Sequence, residues 1–334
     1  MRGNPIKSIS IIGDGGWGTA LAIHLAQKGY KVTLWGAFAG HIAAMAASRE
    51  NKEFLPGHKI PPSVFLTADI HQAIGPGDLV VLACPSEYLQ GTLAKIKTTA
   101  YRAKIFLSVI KGIHPKSFGR MTQMIERHLG KVPLAVLSGP TIAGETAAGK
   151  ATTAVVACAD LSLARAIQKV FHSAAFRIYT NTDVAGVEIG GSVKNVIAIA
   201  CGVCDGLGLG TNAKSAILTR GLAEITRLGI ALGGRKETFY GLSGLGDLAT
   251  TCFSPSSRNR TVGEALGRGK GIKSILGKMH AIAEGVVTAK AVYRLSRARK
   301  IPMPIVEQVY KIIFQRKNPR KAMADLMGRQ VKAE

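Results

Sequence analysis

Four short segments carry residues whose types and spacing suit chemistry. Gly13-Asp14-Gly15-Gly16-Trp17-Gly18 follows the run Ile9-Ser-Ile-Ile and precedes Thr-Ala-Leu-Ala. Lys194 and Asn195 lie inside the otherwise apolar Gly190-Gly-Ser-Val-Lys-Asn-Val-Ile-Ala-Ile-Ala. Asp247 closes a glycine-rich bend, Gly241-Leu-Ser-Gly-Leu-Gly-Asp, and Ser257-Arg258-Asn259-Arg260 follows soon after.

The first segment is G-x-G-x-x-G placed directly after a strand pattern and directly before a helix pattern. That context gives the motif its meaning. Gly13 makes the tight turn, Gly15 lets the backbone approach a pyrophosphate, and Gly18 lets helix and strand pack closely. The helix starting near Gly16 turns its unpaired N–H groups and its dipole towards the phosphates. Two other glycine clusters, at 206–210 and 244–246, follow no strand and earn no such reading.

An acid about 20 residues beyond the fingerprint would hold the 2′-hydroxyl of an NAD ribose. That region reads Leu34-Trp-Gly-Ala37-Phe-Ala-Gly-His41, with no acid before Glu50. Missing negative charge admits a 2′-phosphate, with His41 or Arg49 near enough in sequence to meet it. The expected cofactor is therefore NAD(P), with NADP preferred.

Burial of the Lys194 ammonium would cost hydration and draw its pKa towards neutrality, which suits a general acid or base. The alternative is a lysine near a helix end whose head reaches solvent. Asp247 either orients that lysine or caps a following helix. The Ser-Arg-Asn-Arg segment is either a phosphate grip, since arginine binds phosphate with two parallel donors, or a solvated basic loop.

These side chains need elements to position them. From residue 8 to about 180, β-branched runs alternate with helix-length segments, which predicts βαβ units and a mainly parallel sheet. Strands are expected at 8–12, 31–35, 64–67, 78–83, 104–109, 134–137, 152–157 and 176–179. Beyond Asp183 helix-period segments dominate, at 184–205, 214–232, 261–268, 288–298, 305–315 and 319–327, with Asp183 and Asn318 as N-caps and Pro319 in a first turn. The expected fold is α/β: a Rossmann-like dinucleotide-binding domain over 1–187, then an all-α substrate-binding and catalytic domain over 188–334.

Composition limits the classes. The chain has 334 residues and a net charge of +24, from 44 Lys+Arg against 20 Asp+Glu. The excess invites a nucleic-acid or membrane reading. Aromatics are only 6%, and no RRM, KH, zinc-finger or recognition-helix signature is present, so nucleic acid is not an expected partner. The longest run free of Asp, Glu, Lys and Arg, 32–48, is too short and glycine-broken to span a bilayer, so no membrane insertion is expected. Five cysteines form no disulfide framework, and the single C-x-x-C, Cys201 to Cys204, has no second pair to complete a metal site. The expected location is the cytoplasm.

Taken in order, the glycine fingerprint, Lys111-Gly112, Leu137-Ser-Gly-Pro-Thr-Ile-Ala, the Lys194 segment, Ile217-Leu-Thr-Arg-Gly-Leu-Ala-Glu, Gly244-Leu-Gly-Asp-Leu and Ser257-Arg-Asn-Arg closely resemble bacterial NAD(P)-dependent glycerol-3-phosphate dehydrogenases. The resemblance spans about residues 8–329. It implies reversible hydride transfer between a nicotinamide and C2 of dihydroxyacetone phosphate, giving sn-glycerol 3-phosphate for glycerophospholipid synthesis. It implies that Lys194 donates the proton to the C2 oxygen while Asn195 and Asp247 hold it in place. Lys111, Gly139 and Thr141 match substrate positions, Lys111 also lying near the cofactor. Ser257, Arg258 and Asn259 match the substrate-phosphate region, and Gly16, Trp17, Ala143, Arg258, Ile282 and Glu284 match cofactor contacts. A homodimer is implied as well.

Three positions depart from the family pattern. Asp14 puts a carboxylate into the pyrophosphate loop where a small residue is usual. Ala37 replaces a basic residue common after the second strand, which weakens the case for NADP. Gly144 replaces a lysine common after the Gly-Pro-Thr motif.

Overall fold

The structure, a computed structural model, describes residues 6–279 and 282–330. The chain separates into two compact units, Met1–Lys111 with Gly119–Val187, and Gly112–Phe118 with Glu188–Glu334. No shift in composition announces the loop 112–118 as part of the second unit.

The first unit is built on eight strands: β1 (Ser8–Ile12), β2 (Lys31–Trp35), β3 (Phe65–Thr67), β4 (Leu79–Leu82), β5 (Ile105–Ser108), β6 (Leu134–Ser138), β7 (Thr152–Ala157) and β8 (Phe176–Asn181). They form one sheet in the order β3-β2-β1-β4-β5-β6-β7-β8. Every neighbouring pair is parallel except β6 with β7. The connecting helices are α1 (Gly16–Gln27), α2 (Ala39–Ser48), α3 (Ile70–Ile74), α4 (Leu89–Ile96), α5 (Met121–Leu129), α6 (Ala143–Ala147) and α7 (Leu161–Phe171).

Both faces of the central strands are covered, so side chains of alternate parity enter different cores. Ile9, Ile11, Val32, Leu34, Leu79 and Val81 belong to one cluster; Ile12, Trp35, Val80 and Leu82 belong to the other. The order reverses beside β1, which pairs with β2 on one side and β4 on the other. At such a switch point the carboxyl ends of the strands open a crevice, and the glycine loop leaves β1 there.

The second unit is helical. Its elements are α8 (Val184–Gly206), whose first turn precedes the unit boundary, α9 (Gly210–Ala231), α10 (Lys236–Tyr240), α11 (Asp247–Phe253), α12 (Arg258–Gly267), α13 (Ile272–Leu276), α14 (Glu284–Ala298), α15 (Pro304–Gln315) and α16 (Pro319–Met327). Asp183 receives the Gly186 N–H at 2.8 Å, and Asn318 receives those of Arg320 and Lys321 at 2.8 and 3.3 Å, so both caps form as their residue types predict.

Helix α8 is long and apolar enough to cross a membrane, although Glu188 and Lys194 break it into shorter charge-free runs. Its apolar window is wholly buried, making it the core helix of this unit. Gly202 and Gly206 explain part of that packing: a Cβ on either would lie 2.0–2.2 Å from the Arg260 or Glu264 carbonyl oxygen of α12.

Candidate active site

In the first unit, the loop between β1 and α1 takes the form its glycines predict. Gly13 has φ +131°, and a Cβ there would come within 2.6 Å of the Ala83 and Cys84 backbone. A Cβ on Gly18 would lie 1.9 Å from the Gly13 carbonyl oxygen, so α1 packs on the loop only through glycine. Gly15 has nothing within 4 Å of where a Cβ would stand, leaving its flank open. No side chain caps α1, so its first N–H groups are not taken by a cap. An open cradle of backbone donors fits a dinucleotide pyrophosphate.

Gly16 and Trp17 open α1, and Ala143 opens α6 beside them; a Cβ on Gly16 would lie 3.7 Å from that of Ala143. Trp17 packs edge-on to Phe176 at 6.3 Å, and its buried Nε1 has no hydrogen-bond partner among the described residues. The buried Asn51 fixes the loop, donating from Nδ2 to the Asp14 carbonyl at 2.7 Å and to Thr19 Oγ1 at 2.8 Å. No motif in the sequence marks Asn51 for this task. Burial raises the Asp14 carboxyl above its ordinary value, and the nearby Glu53 adds to that, while hydrogen bonding to backbone and the neighbouring His41 pull it down.

A second group forms where β5 and β6 end. Lys111 Nζ donates to the Gly139 carbonyl at 2.9 Å and to Thr141 Oγ1 at 3.2 Å. The three residues expected at the substrate are thus neighbours, although 28 residues separate Lys111 from Gly139.

The second unit holds the Lys194 centre. The ammonium donates to Asp247 Oδ1 and to Thr251 Oγ1, and the two charged side chains are only 6% and 1% exposed. Lys194 therefore does not reach solvent from a helix end. Asp247 is not the cap of α11 either: Gly246 holds that position, and a π-helical turn over Leu242–Gly246 leads directly into the helix. Buried charges persist when paired and hydrogen-bonded, and Thr251 supplies the extra bond. Its hydroxyl also donates to the Asp247 carbonyl at 2.7 Å. Thr251 lies four residues after Asp247, one helical turn on, and this spacing is the signal by which it can be found. Asn195 is buried next to Lys194 on α8.

The Ser-Arg-Asn-Arg segment forms the first turn of α12. Ser257 caps it, accepting from the Arg260 N–H at 3.2 Å. Asn259 Oδ1 accepts from the Gly285 N–H at 2.9 Å and so ties α12 to the start of α14. Arg258 Nη1 donates to the Ile282 carbonyl at 2.9 Å; burial draws the guanidinium below its ordinary value, and the charge of Glu284, in the first turn of α14, partly offsets this. Arg258, Asn259, Ile282 and Glu284 are thereby gathered. Arg260, two residues on and so on another face of the helix, pairs instead with Asp205 at 2.6 Å, as does Lys214 at 2.8 Å. The segment is the start of a helix and not a loop, and its two arginines have different partners.

The chain is similar to known proteins along both of its halves. Residues 8–164 match the family described as NAD-dependent glycerol-3-phosphate dehydrogenase N-terminus, and residues 183–324 match its C-terminus. The chain is 45% identical to the protein named glycerol-3-phosphate dehydrogenase (NAD(P)+) of Chlorobium limicola over 98% of this chain and 99% of that one. It is likewise 45% identical to the Geobacter sulfurreducens protein of that name, again over 98% and 99% of the two chains. The crystal structure of glycerol-3-phosphate dehydrogenase from Coxiella burnetii superposes with a TM-score of 0.94 at 36% identity, covering 97% of this chain and 99% of that one. On these matches, which run through both halves, the chain belongs to the NAD-dependent glycerol-3-phosphate dehydrogenase family.

Proposed function

We propose that this chain catalyses the reversible NAD(P)H-dependent reduction of dihydroxyacetone phosphate to sn-glycerol 3-phosphate, with Lys194 as general acid and base. The observation that carries this reading is the buried Lys194 ammonium held by Asp247 and Thr251 in a chain of that family. Reducing a ketone builds negative charge on its oxygen, and an ammonium at that point both stabilises the charge and delivers the proton. Asp247 and Thr251 hold the ammonium in one orientation, and Asn195 is the further residue assigned to this centre. When bound, the reduced nicotinamide supplies the hydride.

Arg258, with the Ser257 hydroxyl and the Asn259 amide, grips the substrate phosphate. Binding energy from that remote group is available to orient the carbonyl. Lys111, Gly139 and Thr141 are further substrate residues, and Lys111 also belongs to the cofactor set. The loop Gly13, Gly15, Gly16, Trp17 and Gly18, with Ala143, Arg258, Ile282 and Glu284, holds the cofactor. The enzyme acts as a cytoplasmic homodimer that supplies glycerol 3-phosphate to glycerophospholipid synthesis.

Initial rates of NADH and NADPH oxidation with dihydroxyacetone phosphate test the reaction. Turnover that depends on this substrate supports it. Turnover with a 2-keto acid and none with dihydroxyacetone phosphate rejects it.

A further inference from the structure

The end of β2 lacks the acid that selects an NAD ribose, and the structure places a carboxylate there from another part of the chain. Gly36, the residue after β2, has no side chain. A Cβ built on it would lie 2.2 Å from Asp14 Oδ2, so the Asp14 carboxylate occupies the space that a strand-end side chain would enter. Asp14 reaches it because β1 and β2 run in parallel with Ile12 opposite Trp35, and the Gly13 N–H donates to the Trp35 carbonyl at 2.9 Å.

Two buried atoms at this place lack hydrogen-bond partners among the described residues, Asp14 Oδ2 and His41 Nε2, and they stand 3.8 Å apart. Such atoms carry a desolvation cost that a ligand donor or acceptor would relieve. The surroundings are short of cations. Arg49 spends its guanidinium on the carbonyls of Ile60, Pro61 and Val64. His41 faces two carboxylates, with Glu53 Oε2 3.5 Å from its Nδ1.

We propose that Asp14 replaces the strand-end acid and selects the cofactor whose adenosine ribose has a free 2′-hydroxyl, NAD(H), over the 2′-phosphorylated NADP(H). The hydroxyl donates to the orphaned carboxylate oxygen, whereas a phosphate would set like charges against it in a partly desolvated site. This reverses the NADP preference that the bare strand end suggests. The proposal rests on reading the glycine loop as the dinucleotide site.

Direct binding tests it without turnover. Titrating the purified full-length protein with NADH and NADPH, followed by nicotinamide fluorescence, is expected to give tighter NADH binding by about tenfold or more. Asp14→Asn is expected to shrink that ratio by about tenfold, mainly by tightening NADPH. Equal or tighter NADPH binding to the unaltered protein overturns the proposal and leaves the dinucleotide reading intact. Equal tightening of both cofactors in Asp14→Asn also overturns it, because the carboxylate then only repels the shared pyrophosphate. Failure of the unaltered protein to bind either cofactor overturns the loop reading itself and the proposal with it. A competition against bound NADH needs no variant: 5′-AMP is expected to displace it more effectively than adenosine 2′,5′-bisphosphate, and the reverse order overturns the proposal.

Discussion

Lys194 and Asp247, 53 residues apart in the chain, meet as an ion pair with almost no solvent around it. One sits in the middle of the longest helix, and the other begins a short helix after a π-helical turn. Three consequences can be measured at this centre.

If Lys194 delivers the proton, Lys194→Ala loses on the order of 10³-fold in kcat with dihydroxyacetone phosphate. NADH binding, measured by fluorescence, is expected to stay within a few-fold, because Lys194 is not among the residues proposed to hold the cofactor. A variant that keeps normal kcat removes Lys194 from the role.

Asp247→Asn leaves the lysine with a neutral partner in a buried place. Removing one member of a buried pair costs about 3–5 kcal/mol. Urea unfolding followed by circular dichroism is expected to show a loss in that range. Thr251→Val preserves shape and removes one hydrogen bond, so a smaller stability loss of about 1 kcal/mol is expected, together with lower kcat from a less firmly held ammonium.

The two arginines of α12 give opposite outcomes. Arg258→Ala is expected to lower kcat/KM for dihydroxyacetone phosphate by about 10- to 100-fold, the usual worth of a charge-assisted phosphate contact. Arg260 pairs with Asp205 instead, so Arg260→Ala is expected to spare KM and to cost about 1–2 kcal/mol of stability. Equal effects on KM would refute this division of labour.

Glu224 supplies a pH dependence elsewhere in the second unit. From α9 it accepts the N–H groups of Ile305 and Val306 at 2.7 and 3.2 Å, at the start of α15, and burial pushes its carboxyl up to about 7. Its folded pKa exceeds the ordinary 4.5, so between those values the unfolded chain has released a proton that the fold retains. This group's contribution to stability therefore falls as pH rises from about 4.5 to 7, by an amount on the order of 3 kcal/mol. Glu224→Gln removes that slope. Thermal unfolding of both proteins is expected to show the variant gaining relative to the parent as pH rises from 5 to 8.

The positive charge is unevenly spread, with a net of +13 over 258–334 and +1 over 188–257. Charge of that size steers anionic substrate and is screened by salt. Raising ionic strength is expected to lower kcat/KM for dihydroxyacetone phosphate several-fold while changing kcat little. A salt-independent kcat/KM would show that the charge serves no steering role.

Local sequence alone identifies all eight strands and the glycine loop. Buried parallel strands read as continuous β-branched runs, and a pyrophosphate turn needs glycines at fixed offsets. The long helices of the second unit are equally visible through their period and caps, although α10, α11 and α13, five to seven residues each, are too short to show one.

Tertiary structure decided which alternatives were true. Sequence admits both a solvent-reaching and a buried Lys194; only the packing of α8 against α11 brings Asp247 and Thr251 to its ammonium. It shows a strand end without an acid; only the parallel register of β1 and β2 places Asp14 beside Gly36. Backbone geometry is read from near neighbours along the chain. Pairing of side chains across tens of residues depends on register and helix packing, and these are fixed by the burial of whole surfaces.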